Sequence, residues 1–169
     1  MVKLKGLKFR LRAGCFKEYK NCIEDLVSNE TVQMMNHFRH HHQTTCFEHA
    51  LNVSYYSYLI CKSMGLDYAA AARGGLLHDL FLYDWRVTEL ERGKHAFRHP
   101  GIALENAKRI FTLNEIEQDI IKKHMWPLTI IPPMYYESLI VCIVDKYCAA
   151  LETVNSSKLT TANDKSGLF

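Results

Sequence analysis

Apolar residues recur at three- and four-residue intervals along nearly the whole chain, and no segment alternates with the two-residue period of a half-buried strand. That pattern predicts an all-α fold, a single compact helical bundle. An amphipathic helix is expected over about Phe16 to Val27, then a second from Glu30 to His40 with Asn29 as its cap. Thr45-Cys46-Phe47-Glu48 fits a capping box, in which hydroxyl and carboxylate each satisfy a free backbone amide, and opens a helix to Met64 that stops at Gly65. Asp67 caps the next, which runs through four alanines to His78. Residues 81–98 read as an irregular charged connection, and Pro100 then sits at the favoured first position of a helix ending near Phe111. A helix from Asn114 reaches Trp126 and is stopped by Pro127, and a long one spans about Tyr135 to Thr153. The expected organisation is N-terminal helices over 1–43, the main domain over 44–154, and a polar, weakly patterned tail over 155–169 that is expected to be disordered.

Composition narrows the class of protein. With 169 residues, 48% of them hydrophobic, the chain can bury a proper core but hardly a second domain. A formal net charge of +3 is too small for a dedicated nucleic-acid surface, which leaves small anions as the ligand class. The six cysteines are scattered without a Cys-x-x-Cys pair, and they read as reduced thiols in a cytoplasmic protein. No run suits a signal peptide or a membrane span. Leu4, Leu7, Phe9 and Leu11 would serve either a homo-oligomer contact or packing on the bundle.

Several titratable residues fall where water should not reach. His78 and Asp79 close the apolar stretch Gly74-Gly75-Leu76-Leu77, His124 shares a helix face with Ile116 and Ile120, and Asp145 follows the apolar run Leu139 to Val144. Each alone could be a satisfied core polar group. Four such groups on separate helices converge cheaply only around a cation, so a core reading and a metal reading stand side by side.

His49, then His78-Asp79, then Asp145 resembles the H…HD…D signature of the HD-domain superfamily of metal-dependent phosphohydrolases. Longer strings, Thr45-Cys46-Phe47-Glu48-His49, Ala72 to Trp85 and Val144 to Cys148, are similar to a bacterial branch of HD-domain proteins. The resemblance implies a helical bundle around one or two divalent cations held by His49, His78, Asp79 and Asp145. His99 and His124 resemble the two extra histidines of the dinuclear subset, which includes bacterial diadenosine tetraphosphate hydrolases and HD-GYP phosphodiesterases. On that carry-over Asp79 bridges two metals. Imidazole and carboxylate donors together suit Fe, Mn, Co, Ni or Zn, with Mg also open.

The implied chemistry is hydrolysis of a nucleotide or other small phosphoester by a metal-activated water. Asp79, His95 and Lys146 are the candidate catalytic residues, His95 orienting substrate or protonating a leaving group. Arg73 and Arg98 are candidates for the anion, and Trp85 and Trp126 for stacking on a ring. Two features depart from better-known relatives: Leu80-Phe81-Leu82 stands where many carry Gly-Lys after the doublet, and no Gly-Tyr-Pro element is present. An HD-type di-iron oxygenase and a non-catalytic nucleotide-binding module are the alternatives. The run His37, His40, His41, His42 reads as an exposed cationic helix end, with His42 at the edge of the pocket.

Overall fold

In a computed structural model, residues 13–41, 44–88 and 95–166 of the chain are described. They form α1 (Ala13–Val27), α2 (Glu30–Gln33), a 3₁₀ turn (Met34–His37), strands β1 (Arg39–His41) and β2 (Thr44–Thr45), α3 (Cys46–Met64), α4 (Tyr68–Leu77), α5 (His95–Ile110), α6 (Glu115–Lys123) and α7 (Tyr136–Ser166). Leu4, Leu7, Phe9, Leu11 and His42 lie outside the described residues.

The local signals act as their chemistry requires. In α3 the Glu48 amide donates to Thr45 Oγ1 at 3.1 Å and the Thr45 amide to Glu48 Oε2 at 3.1 Å, and Gly65 ends the helix in the left-handed region at φ 72°. Asp67 caps α4 through the Ala70 amide at 2.9 Å. Asn114 and Glu117 form a second reciprocal box at the start of α6.

α4 is the helix around which the others assemble, packing against α1, α3, α5, α6 and α7. Its small residues make this feasible. A Cβ on Gly75 would lie 3.0 Å from the Ser54 Cα of α3, and one on Gly74 would lie 2.7 Å from Ile120 Cδ1 of α6. Ser54 Oγ also donates to the Ala72 carbonyl at 2.6 Å, locking α3 to α4. Two apolar clusters result. One joins α1, α3, α4 and α5 around Leu26, Tyr58, Leu76, Leu77 and Phe81, and the other joins α3, α4, α6 and α7 around Val53, Ala71, Ile120, Val141 and Val144. All six cysteines are free, and four of them are buried. Among the described residues, no helix is long and apolar enough to cross a membrane.

Three expectations need correcting. The helix over 30–40 stops at Gln33: Val32 and Met35 are pinned in the core, Phe38 turns extended at φ −108° and ψ 135°, and residues 39–41 pair with Thr44 and Thr45 instead. The connection after Phe81 is shorter than 81–98, because α5 already holds His95 and carries Pro100 inside it, where the ring's fixed φ suits a helix at the loss of one amide donor. Finally, α7 runs to Ser166 rather than ending near Thr153. Residues 155–166 have no apolar stripe to announce a helix, yet extending one already nucleated needs only backbone bonds.

Gly75→Val places a branched side chain against backbone that cannot retreat without separating α3 from α4. It should destabilise the protein by about 2–3 kcal/mol, read as a lowered urea midpoint, and an unchanged midpoint would contradict the close approach.

Candidate metal centre

The site forms where helix ends meet. His78 is the C-cap of α4 and His124 the C-cap of α6, so each follows the last residue of its helix and turns its ring inward. His78 Nδ1 donates to the Gly75 carbonyl at 2.8 Å, His124 Nδ1 to the Ile121 carbonyl at 3.0 Å, and His99 Nδ1 to the His95 carbonyl at 3.0 Å. A carbonyl can only accept, so each Nδ1 carries its hydrogen and each Nε2 is left to present a lone pair.

Those three Nε2 atoms converge on carboxylates. His78 Nε2 lies 3.5 Å from Asp79 Oδ2 and 3.6 Å from Asp145 Oδ1, while His99 and His124 Nε2 lie 3.3 and 3.5 Å from Asp79 Oδ1. From α3, His49 Nε2 reaches Asp145 Oδ1 at 3.0 Å. Asp79 is only 3% exposed. Its Oδ1 and the His78 Nε2 are buried with no hydrogen-bond partner among the described residues. Most telling, His99 Nε2 and His124 Nε2 face each other at 2.7 Å. With both Nδ1 atoms donating to carbonyls, two neutral rings would oppose lone pairs at that distance, so a proton or a cation must lie between or beside them. Ligand atoms of His49, His78 and Asp145, and of His78, Asp79 and His124, cluster within 4.8 Å of one another. The donor set fits a borderline divalent metal.

Electrostatics tell the same story. Burial pushes the Asp79 and Asp145 pKa values up, but the surrounding histidines outweigh it and hold both well below the usual carboxylate range. Burial also opposes charge on His49, yet Asp145 and Glu152 on its two nitrogens push its pKa up to about 9. His124 goes the other way, down to about 3, from burial and the neighbouring His78 and His99. Protons on some rings thus stand where a cation would, and metal binding would displace them.

One member of the cluster was not singled out in the sequence, and another was read as exposed. Glu152 accepts from His49 Nδ1 at 3.1 Å, with its own pKa held down to about 2, against burial, by His40 and His49. It sits seven residues after Asp145 on α7, two turns along one face, and that spacing was the available signal. His40 lies with Nε2 3.3 Å from Asp79 Oδ2 and its ring stacked 3.7 Å from that of His49. The reading of His40 as part of an exposed helix end is therefore corrected: β1 carries it inward, whereas His37 is exposed.

A cavity of about 280 Å³ opens onto the cluster, lined by His40, Asp79, Trp85, His95, Ala96, His99, His124, Met125, Asp145, Lys146 and Ala149. His95 is half-buried, stacked between Trp85 (5.5 Å) and His99 (4.5 Å), with Nδ1 2.9 Å from the Tyr83 hydroxyl. Burial and then His99 pull its pKa down to about 4. Lys146 Nζ donates to the His124 carbonyl at 2.8 Å and lies 3.9 Å from Asp145 Oδ2. A larger groove of about 370 Å³ along α1, between Phe16 and Leu51, has no metal-ligating cluster among the described residues.

Three candidates do not join the cavity wall. Arg73 is engaged elsewhere, donating to Asp25 at 2.6 Å, Glu117 at 2.9 Å and the Cys22 carbonyl at 3.1 Å, so it ties α1 and α6 to α4. Arg98 is exposed and does not line the cavity. Trp126 also lies off the wall, where Met125 takes its place, and its carbonyl accepts from Cys142 Sγ at 2.9 Å.

Fold and site together define a helical domain built around a cage of histidine and aspartate donors suited to a divalent cation. Residues 46–150 match the HD domain, well over half of the chain, and the protein belongs to that family. HD domains are typically metal-dependent phosphohydrolases. Among curated proteins and solved structures, none matches the chain.

The His49–Glu152 pair predicts a pH window in protein stripped of metal. His49 has a folded pKa of about 9, above its ordinary 6.5, so its contribution is full below pH 6.5 and is lost as pH rises through 9. Glu152 has a folded pKa of about 2, below its ordinary 4.5, so its contribution is full above pH 4.5 and is lost as pH falls toward 2. Glu152→Gln should therefore destabilise most between pH 4.5 and 6.5, by about 1–3 kcal/mol. Urea denaturation inside and outside that window checks it, and a difference that stays flat with pH would contradict the pairing.

Proposed function

We propose that this HD-domain protein is a metal-dependent hydrolase of a nucleotide or another small phosphoester. The observation that carries the reading is the opposed pair of His99 and His124 Nε2 atoms at 2.7 Å beside Asp79 Oδ1, which has no hydrogen-bond partner among the described residues, an arrangement that calls for a cation. His49, His78, Asp79, His99, His124 and Asp145 would hold one or two divalent metal ions. When bound, such ions acidify a water and neutralise charge on phosphoryl oxygens.

The chain's own residues divide the remaining work. Lys146 brings a positive charge to the cavity wall beside Asp145, in reach of a phosphate entering the 280 Å³ space. His95, with its pKa near 4, is a neutral imidazole at pH 7. In that state it accepts a proton more readily than it releases one, which suits orienting an attacking water better than protonating a leaving group. Trp85, stacked on His95, offers an aromatic face to a base or other ring.

Metal-loaded protein should release phosphate from members of a panel of nucleotides and phosphomonoesters, and a chelator should abolish the release. Asp79→Ala should lower kcat by about 10³-fold or more, equivalent to about 4 kcal/mol of barrier. Absence of release from the whole panel, together with oxygen consumption by the iron-loaded protein, would replace hydrolysis with an oxygen-dependent reaction at the same ligands.

A further inference from the structure

We propose that His40 is an additional metal ligand, delivered through Nε2 by the β1–β2 hairpin ahead of the residues that match the HD domain. The inference rests on the metal reading of the site. His40 and Glu152 both lie outside residues 46–150, so neither is supplied by the matched domain.

The arrangement of His40 repeats that of His49. Their rings stack at 3.7 Å and 17°. Both Nδ1 atoms face Glu152, at 3.1 Å from His49 and 3.6 Å from His40. Both Nε2 atoms face a carboxylate of the cage, His49 toward Asp145 at 3.0 Å and His40 toward Asp79 at 3.3 Å. Glu152 thus holds His49 in the tautomer that aims Nε2 inward, the usual support for a ligating histidine, and its other oxygen faces Nδ1 of the parallel His40 ring. Ligand atoms of His40, His49 and Asp79 also lie within 4.8 Å of one another, close to the span of a coordination sphere, about 4 Å.

The hairpin is held at its open end. The Cys46 amide donates to the Phe38 carbonyl at 2.8 Å, and Arg86 Nη2 donates to the Arg39 carbonyl at 3.3 Å, both at the start of the strand that carries His40. The His40 side chain is 14% exposed where that of His49 is 0%, so it forms the outer, cavity-facing member of the pair. An added imidazole shifts the donor set away from hard Mg²⁺ and toward Fe, Co, Ni or Zn. His40 is then both a ligand and a selector of the metal.

Cobalt(II) bound to the full-length chain tests this without reference to activity. His40→Gln should weaken Co²⁺ at one site about 10–100-fold, change the visible d–d absorption, weaken Mg²⁺ much less, and remove one paramagnetically shifted, exchangeable imidazole proton from the NMR spectrum. Equal Co²⁺ affinity with an unchanged set of shifted protons would overturn the inference while leaving the metal site intact. If His40→Gln does not fold, wild type decides: shifted protons for His40, His49, His78, His99 and His124 support the proposal, and a set matching only the last four overturns it. Wild-type protein that takes up no Co²⁺ would overturn the metal reading and this one with it.

Discussion

Asp79 and Asp145 carry negative charge into the interior of a helical domain, and much of the surrounding structure exists to make that tolerable. An unpaired buried carboxylate would protonate, because burial disfavours its charged form. Here both stay ionised because His78, His99, His49 and His40 surround them with N–H donors or positive charge. The compensation is not free-standing. It requires donors from α3, α4, α5, α6 and the β1 segment to end at one point, and α4, in contact with every other long helix, is the element that sets that point.

The way the helices end explains why histidine is the donor. A helix leaves its last carbonyls without amide partners, and its C-terminus carries partial negative charge. At the ends of α4 and α6, His78 and His124 satisfy a carbonyl three residues back through Nδ1 and thereby fix the tautomer that presents Nε2. One side chain caps a helix and aims a ligand atom. Two helix C-termini and two carboxylates directed at the same small volume make it strongly attractive to a cation, and the protons on His49 are what the metal-free protein holds instead.

Much of this was legible in the chain. His124 and Asp145 stood out because each sat on an apolar helix face, and the structure places both, with His49, His78, Asp79 and His99, around one centre. The capping boxes at Thr45 and Asn114 were local and therefore readable for α3, while the tail of α7 lacked any apolar period to read. His40 was missed for a physical reason: a run of histidines after a helical pattern looks like a solvated helix end, and only the pairing of β1 with β2 turns it inward. Arg73 lies off the cavity wall, and its place was hidden for another reason. Its partners Asp25 and Glu117 are distant in sequence, so an arginine committed to structure was indistinguishable from one available to an anion.

The cavity that reaches the cage has two unlike walls, and the difference follows from the charge inside. Trp85, His95 and His99 stack in a ladder from the cavity wall to the carboxylates. A cationic ring 4.5 Å from His99 would repel any metal ion held there, and burial together with His99 keeps His95 neutral, so this wall behaves as aromatic surface. Across the space, Lys146 is anchored to the carbonyl of His124 at the end of α6 and keeps its charge beside Asp145. On the hydrolase reading proposed above, a molecule with a ring and a phosphate would meet Trp85 with its ring and Lys146 with its anion.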